Sequence, residues 1–133
     1  MAKYVSYDES YKPIITRCID VGVLNEYFSK EGIFESNTKY KVYLKVYGEY
    51  ETGSITIYYN ENGELKHKTI NIDVIGGDWI NISFDGYITK IEFGERSDYY
   101  YFSGDSVITK SSNAPIINSS YTGGVCINEE NEA

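Results

Sequence analysis

The fold is decided by one stretch of the chain, Tyr40-Lys41-Val42-Tyr43-Leu44-Lys45-Val46-Tyr47. Aliphatic side chains alternate here with lysines and tyrosines, which gives a strand one dry face and one wet face. The same alternation returns in later segments of the chain. They are Ser54 to Tyr59, Leu65 to Val74, Trp79 to Phe84, Tyr87 to Phe93, Asp98 to Phe102 and Ser106 to Thr109. This density of strands predicts an all-β protein, built as a β-sandwich or a β-barrel.

Two dipeptides predict tight turns between these strands. Asn62-Gly63 separates one pair of alternating segments, and Asp85-Gly86 separates another. Asn, Asp and Gly tolerate the positive φ of a type I′ turn, so we predict a hairpin at each dipeptide. Alternation in the strand after the second turn places one set of side chains on a common face. They are Tyr87, Thr89, Ile91 and Phe93.

The two ends of the chain have weaker patterns. Pro13 to Val21 predicts a strand, and Val125 to Ile127 predicts a last short one. Val23 to Phe28 fits either one helical turn or the approach to a loop. Ser111 to Gly124 is rich in Ser, Asn and Gly and predicts a surface loop.

The length of 133 residues is typical of a single domain. We expect that domain to span residues 1–133. Two parts of it are expected to lie outside the packed body: an N-terminal arm at about 1–12 and a frayed acidic C-terminus at 128–133.

The chain is acidic, with 12 basic and 20 acidic residues and a net charge of −8. Such a charge repels phosphate backbones and anionic lipids, so we expect neither a nucleic-acid nor a membrane partner. No apolar run approaches the roughly 20 residues that span a bilayer. The start Met1 to Ser6 lacks the apolar stretch of a signal peptide. We expect synthesis in a cytoplasm, with incorporation in a virion left open.

The sequence offers little catalytic or metal-binding chemistry. His67 is the only histidine, lies between two lysines and is expected to be an exposed strand residue. Cys18 and Cys126 lack the spacing of a zinc or redox motif. We expect two buried free thiols rather than a disulfide, because a cytoplasm is reducing. No enzymatic activity and no cofactor are expected. Carboxylates near turns leave a structural calcium ion open: Glu92, Glu95, Asp98 and Asp105.

Tyrosine is the unusual component, at 15 of the 133 residues. Rings on outward strand positions suit a glycan platform or a protein interface, and they equally suit cross-strand pairs that screen a sheet from water. Trp79 is expected at a rim or as an edge-packing anchor. The predicted aromatic binding face consists of Tyr99, Tyr100, Tyr101, Tyr43, Tyr47, Tyr58 and Trp79.

Four runs together resemble a known family. They are Tyr40 to Val46, Ile55 to Tyr59, Gly77 to Phe84 with its Gly-x-Trp step, and Ile88 to Phe93. This arrangement resembles the jelly-roll carbohydrate-binding modules with a galactose-binding-like fold, over about Tyr40 to Phe93. The resemblance implies an antiparallel, jelly-roll-like β-sandwich of two sheets with about eight strands, a fold that is commonly non-catalytic in that family. The same fold class also occurs as accessory domains of bacteriophage particles.

Three functional hypotheses follow from these observations. The first is a phage virion accessory protein, such as a capsid decoration, fibre or tail component, that docks on a protein assembly or forms a homo-oligomer. The second is a stand-alone carbohydrate-binding module with an exposed aromatic platform. The third is an acidic inhibitor or immunity protein that masks a basic partner.

Overall fold

The structure is a computed structural model, and it describes residues 2–7, 13–30, 32–48, 52–73, 79–94, 100–111, 121 and 123–130. Most of these residues lie in strands, which confirms the all-β class. The strands are β1 (Ala2–Tyr7), β2 (Pro13–Asp20), β3 (Tyr40–Gly48), β4 (Thr52–Glu61), β5 (Glu64–Asp73), β6 (Ile80–Phe93), β7 (Tyr100–Phe102), β8 (Val107–Lys110) and β9 (Gly124–Glu130). A 3-10 turn, Val21–Val23, leads into one short helix, α1 (Leu24–Phe28). The segment left open between helical turn and loop is therefore helical.

The strands form a continuous ladder in the order β1-β2-β9-β8-β3-β6-β4-β5. Strand β7 pairs with the same edge of β3 that β8 uses, so β3 has neighbours along both edges. Within the described ladder, β8 and β9 run parallel and the other pairs run antiparallel. The prediction of a purely antiparallel sheet is wrong for that pair. Residues 111–123 separate the two strands, and a connection of that length allows a parallel crossover.

The longest strand, β6, joins the two halves of the sheet. Its residues 80–86 pair with β3, and its residues 87–93 pair with β4. The hairpin predicted at Asp85-Gly86 is therefore wrong, because the segments on either side pair with two different strands and not with each other. Gly86 is buried, and a Cβ there would lie 3.0 Å from the ring of Phe84. This glycine serves close packing rather than a turn.

A β-bulge at Thr89 changes which side chains of β6 face inward. The register with β4 shifts after Tyr58, so that Thr89 has no partner in the ladder, and its hydroxyl donates to the Tyr58 carbonyl oxygen over 3.3 Å. Ile88 is consequently buried, whereas Tyr87 is exposed. The predicted common face holds for Ile91 and Phe93 but is wrong for Tyr87 and Thr89, which are exposed, because one extra residue reverses the alternation.

The other predicted turn is confirmed, and the other predicted strands are confirmed over the residues that the structure describes, which exclude Val74, Asp98 and Tyr99. Asn62 and Gly63 have φ values of 53° and 81°, and the ladder between β4 and β5 closes directly around them. These are the positive dihedrals that a type I′ hairpin requires. The first and last predicted strands correspond to β2 and β9.

One hydrophobic core takes side chains from both halves of the sheet, so the sheet folds over itself in a sandwich-like manner. Its fully buried members include Phe28, Tyr40, Leu44, Ile55, Ile57, Ile72, Ile91, Phe102, Ile108 and Ile127. Helix α1 packs against the end of β6, where the Phe28 and Phe93 rings lie 5.5 Å apart. Asn25 Oδ1 accepts a hydrogen bond of 2.8 Å from the Phe93 amide. The jelly-roll strand order remains a prediction.

Strands from the two ends of the chain lie side by side in the sheet, in the order β1-β2-β9. Strand β1 pairs with β2 along its whole length, so residues 2–7 form an edge strand of the sheet instead of the predicted free arm. Strand β9 includes Asn128, which was predicted to fray but is buried and accepts a hydrogen bond of 2.7 Å from the Thr16 hydroxyl. Residues 131–133 lie outside the described part of the chain. Among the described residues, no helix combines the length and the hydropathy needed to cross a membrane.

A disulfide links these terminal strands. Cys18 in β2 stands directly opposite Cys126 in β9, and their sulfur atoms are bonded at 2.01 Å. The prediction of two free thiols is wrong, because the strand register brings together two cysteines that are 108 residues apart in the sequence. Both side chains are buried.

Candidate functional site: an aromatic face on β3

Four aromatic side chains lie on the outward side of β3 or beside it, and we call this set the aromatic face. Its members are Tyr43, Tyr47, Trp79 and Tyr101. The exposed fractions of Tyr43, Trp79 and Tyr101 are 38%, 45% and 50%. The Tyr47 ring centroid lies 5.9 Å from that of Trp79 and 6.1 Å from that of Tyr101. Large rings that touch one another and remain exposed are typical of binding surfaces.

The strand registers bring these rings together. Alternation along β3 turns Tyr43 and Tyr47 outward, while the aliphatic residues between them enter the core. Tyr47 pairs directly with Tyr101 of β7. The ladder between β3 and β6 ends at the pair of Val46 and Ile80, so Trp79 lies one residue beyond it, next to Tyr47. Three separate segments therefore supply the three contacting rings.

The aromatic face borders a cavity of about 840 Å³. Its lining combines aromatic rings with polar side chains from β3 and from the turn after β7. The lining consists of Lys45, Tyr47, Trp79, Tyr101, Phe102, Ser103, Gly104 and Asp105. Lys45 Nζ lies 5.9 Å from the centre of the Trp79 ring, at cation–π distance. The Ser103 hydroxyl donates to the carboxylate of Asp105.

The turn between β7 and β8 positions the polar part of the cavity lining. The Ser103 amide donates to the Lys45 carbonyl oxygen over 2.8 Å, and the Lys45 amide donates to the Ser106 hydroxyl over 3.0 Å. The buried Ser106 side chain thus replaces a ladder partner where β3 passes from one neighbour strand to the next. These bonds fix the turn that carries Asp105 next to Lys45, and both side chains line the same cavity.

Tyr100, predicted as part of the binding face, does not belong to it. Strand β7 alternates, so Tyr101 points outward while Tyr100 is buried with 4% exposure. The Tyr100 hydroxyl donates to the Ser54 carbonyl oxygen over 3.3 Å, and its ring occupies the space where a Cβ on Gly53 would lie. Burial raises the pKa of the Tyr100 hydroxyl. Tyr99 lies outside the described residues.

Tyr58 lies on the outward side of β4, in a second group that we call the charged face: Tyr58, His67, Lys90 and Glu92. The Tyr58 hydroxyl donates to Glu92 over 3.1 Å, and Lys90 Nζ lies 2.7 Å from the other carboxylate oxygen. The Tyr58 ring lies 5.8 Å from that of His67, which is exposed as predicted. The predicted binding residue Tyr58 is therefore engaged in cross-strand pairing, the other role considered for outward tyrosines.

On the charged face, the pKa values of Tyr58, Lys90 and Glu92 are shifted away from neutral pH. The hydrogen bond from Lys90 lowers the pKa of Glu92 and raises that of Lys90 itself. The hydrogen bond to Glu92 raises the pKa of Tyr58. General acid–base catalysis works best with a pKa near the operating pH. These three groups therefore suit a structural network rather than proton transfer at neutral pH.

The carboxylates considered for calcium are dispersed or paired. Glu92 contacts Lys90, and Asp105 contacts Ser103, whereas Glu95 and Asp98 lie outside the described residues. Within the described ranges, no group of three or more His, Cys, Asp or Glu side chains has metal-binding proximity. A structural calcium ion remains a prediction without a described site.

Sequence reasoning missed the polar half of the site. Lys45 was assigned only to a wet strand face, and Ser103 was not named as a functional residue. Their meeting depends on β7 and β8 sharing one edge of β3, which no local pattern reveals. One signal was available in the sequence. Lys41, Tyr43, Lys45 and Tyr47 occupy every second position of β3, which indicates that their side chains form one row on its outward side.

The site therefore combines exposed rings, one lysine, one carboxylate and one hydroxyl around a cavity on a sheet face. Comparison with protein families, with curated proteins and with solved structures finds no match for this chain.

Proposed function

We propose that this chain is a non-enzymatic binding module that recognises uncharged carbohydrate through its aromatic face. The observation that carries the proposal is the contact of Tyr47 with both Trp79 and Tyr101 beside the polar side chains of Lys45 and Asp105. Sugar rings have apolar faces that stack on aromatic rings and hydroxyls that both donate and accept hydrogen bonds. The cavity offers partners for both kinds of contact.

The charge of the cavity favours a neutral ligand. Lys45 supplies a cation and donors, and Asp105 supplies an anion and acceptors. The two charges balance, so a phosphorylated or strongly acidic ligand would meet as much repulsion as attraction. The net charge of −8 adds a general repulsion of anions.

The absence of catalysis is part of the proposal. The polar side chains that line the cavity are Lys45, Ser103 and Asp105. The hydroxyl of Ser103 contacts the carboxylate of Asp105 within a single turn. His67, the only histidine of the sequence, lies on the charged face and not in the cavity lining. A nucleophile with an adjacent base is the usual sign of covalent catalysis, and this lining supports binding instead.

The direct test uses Trp79, the only tryptophan of the sequence, as a reporter. We expect neutral polysaccharides on a glycan array to retain the wild-type protein, and a retained sugar to shift or quench the fluorescence of Trp79. The expected change saturates with sugar concentration and is unaffected by moderate salt, because the ligand is uncharged. Absence of retention by every neutral glycan on the array would contradict the proposal.

A second candidate function is attachment to a larger protein assembly, such as a phage particle. It is favoured by the position of β1, an edge strand on which Val5 is 54% exposed. Open edges pair readily with a strand of another chain. Light scattering of the purified chain and proteomics of particles from the source culture test this candidate. A symmetric oligomer or a particle-bound chain supports it, and a monomer absent from all particles contradicts it.

A further inference from the structure

A second cavity lies beside the cavity at the aromatic face, along the same strand. The second cavity has a volume of about 560 Å³, and its walls include Lys41, Tyr43 and Asp85. Asp105 lines both cavities. Together they form one groove along the outward side of β3, which we call the β3 groove.

The length of the β3 groove exceeds a single sugar. It runs from Lys41 to Tyr47, which are six residue steps apart. At a rise of roughly 3.3 Å per residue the groove is about 20 Å long. A monosaccharide would fill only one of its two cavities, whereas a linear chain of several units would contact both.

Charges along the β3 groove are arranged in two balanced pairs. Lys41 stands opposite Asp85 in the ladder between β3 and β6. Lys45 and Asp105 line the neighbouring cavity together. The exposed side chain of Ser83 lies opposite Tyr43 and adds a hydroxyl. Such a row offers donors and acceptors at successive positions without net charge, which suits a chain of repeating, uncharged, hydroxyl-rich units.

The backbone of β3 is closed to an added peptide strand. Strand β6 occupies one edge, and β7 and β8 occupy the other, while Ser103 and Ser106 bind the backbone of Lys45 between them. A peptide in the β3 groove would therefore lack the main-chain partners that β-strand addition requires. Only side chains are offered there, which favours a ligand recognised by stacking and hydroxyl contacts.

We infer that the β3 groove binds a linear, uncharged oligosaccharide lengthwise, with one part stacked at Trp79 and a more distant part held by Tyr43 and Asp85. The inference rests on the proposed function and extends it from a single stacking site to a multi-unit groove. It predicts that affinity depends on the length of the sugar chain.

The test measures affinity by calorimetry for linear series of β-linked glucose, mannose, xylose and N-acetylglucosamine, from the monosaccharide to the hexasaccharide. In the series that binds, we expect affinity to rise at least about tenfold from disaccharide to hexasaccharide, equivalent to roughly 1.4 kcal/mol. The variant Asp85→Asn should remove most of this gain and leave disaccharide affinity within about twofold, and Tyr43→Ala should also remove most of the gain. Tyr58→Ala on the charged face is the matched control and should change neither value.

The outcomes separate the two proposals. If no sugar of any length binds, the proposed function fails and the groove inference fails with it. If disaccharide and hexasaccharide bind equally well, the proposed function stands and the lengthwise groove is wrong. The groove is also wrong if folded Asp85→Asn and Tyr43→Ala proteins both keep the full gain with length. The nearly isosteric Asp85→Asn variant keeps the test decisive even if Tyr43→Ala fails to fold.

Discussion

The aromatic face and the charged face both contain tyrosines on outward strand positions, but these tyrosines have different neighbours. On the aromatic face, Tyr47 contacts two further rings, and both of those rings remain substantially exposed. On the charged face, Tyr58 donates to Glu92 while Lys90 approaches both the carboxylate and the Tyr58 ring. The hydroxyl and the ring face of that tyrosine already have partners within the sheet.

This difference shows that tyrosine content alone does not identify a binding surface. What distinguishes the two faces is the chemistry of the cross-strand neighbours. Aromatic neighbours leave ring faces exposed next to a cavity, whereas charged neighbours form a closed network that screens the strands from water. Variants on each face therefore test whether the two faces differ in function.

The largest expected effect is loss of sugar binding in Trp79→Ala. Removal of a ring at the centre of a binding surface commonly costs 2 kcal/mol or more, which is about thirtyfold in affinity. Calorimetry with the best sugar from the array measures this loss. The matched variant Tyr58→Ala removes an outward tyrosine of the charged face and should leave affinity unchanged. Equal losses in both variants would mean that the two faces do not differ in function.

A variant beneath the aromatic face should affect stability as well as binding. The added methyl group of Gly53→Ala would clash with the side chain of Tyr100. Tyr100 is the residue before Tyr101 in β7. Overpacking of this kind costs about 1–3 kcal/mol in the free energy of unfolding. We also expect weaker sugar binding, because displacement of β7 moves Tyr101. Urea unfolding and calorimetry measure the two effects, and a Gly53→Ala protein with wild-type values of both would contradict the packing described here.

The sequence predicts the strands of this chain far better than their partners. Alternation from Tyr40 to Tyr47 correctly separates core from surface, because side-chain period is a local property. The Cys18–Cys126 disulfide, the crossing strand β6 and the parallel pairing of β8 with β9 depend on long-range register. The same limit applies to the site, where the outward direction of Tyr47 follows from its own strand. Its contact with Trp79 follows only from the full ladder.

Tyr100 provides a pH-dependent test of the boundary between the core and the aromatic face. Burial raises its pKa above the ordinary value, so the stability that its neutral form contributes is fully present below about pH 10. That stability is lost as the pH rises through the higher pKa of the folded state. Tyr100→Phe removes this alkaline loss and, at neutral pH, costs about 1 kcal/mol for the hydrogen bond to Ser54. Urea midpoints measured from neutral pH to about pH 11 should therefore fall less steeply in the variant than in wild type. Parallel profiles would contradict burial of this ring.

The smallest expected effect belongs to Glu92→Gln on the charged face. Lys90 lowers the pKa of Glu92, so the ion pair contributes stability above the ordinary carboxyl pKa, and this contribution disappears as the pH falls through the lowered value. The groups are exposed, and exposed ion pairs contribute little, so the urea midpoint at neutral pH should change only slightly. Sugar affinity should not change. The acid limb of the stability profile should become shallower in the variant, since one carboxylate no longer titrates. A loss of sugar affinity in Glu92→Gln would instead assign the charged face to the binding site, because its effect on the fold is too small to act from a distance.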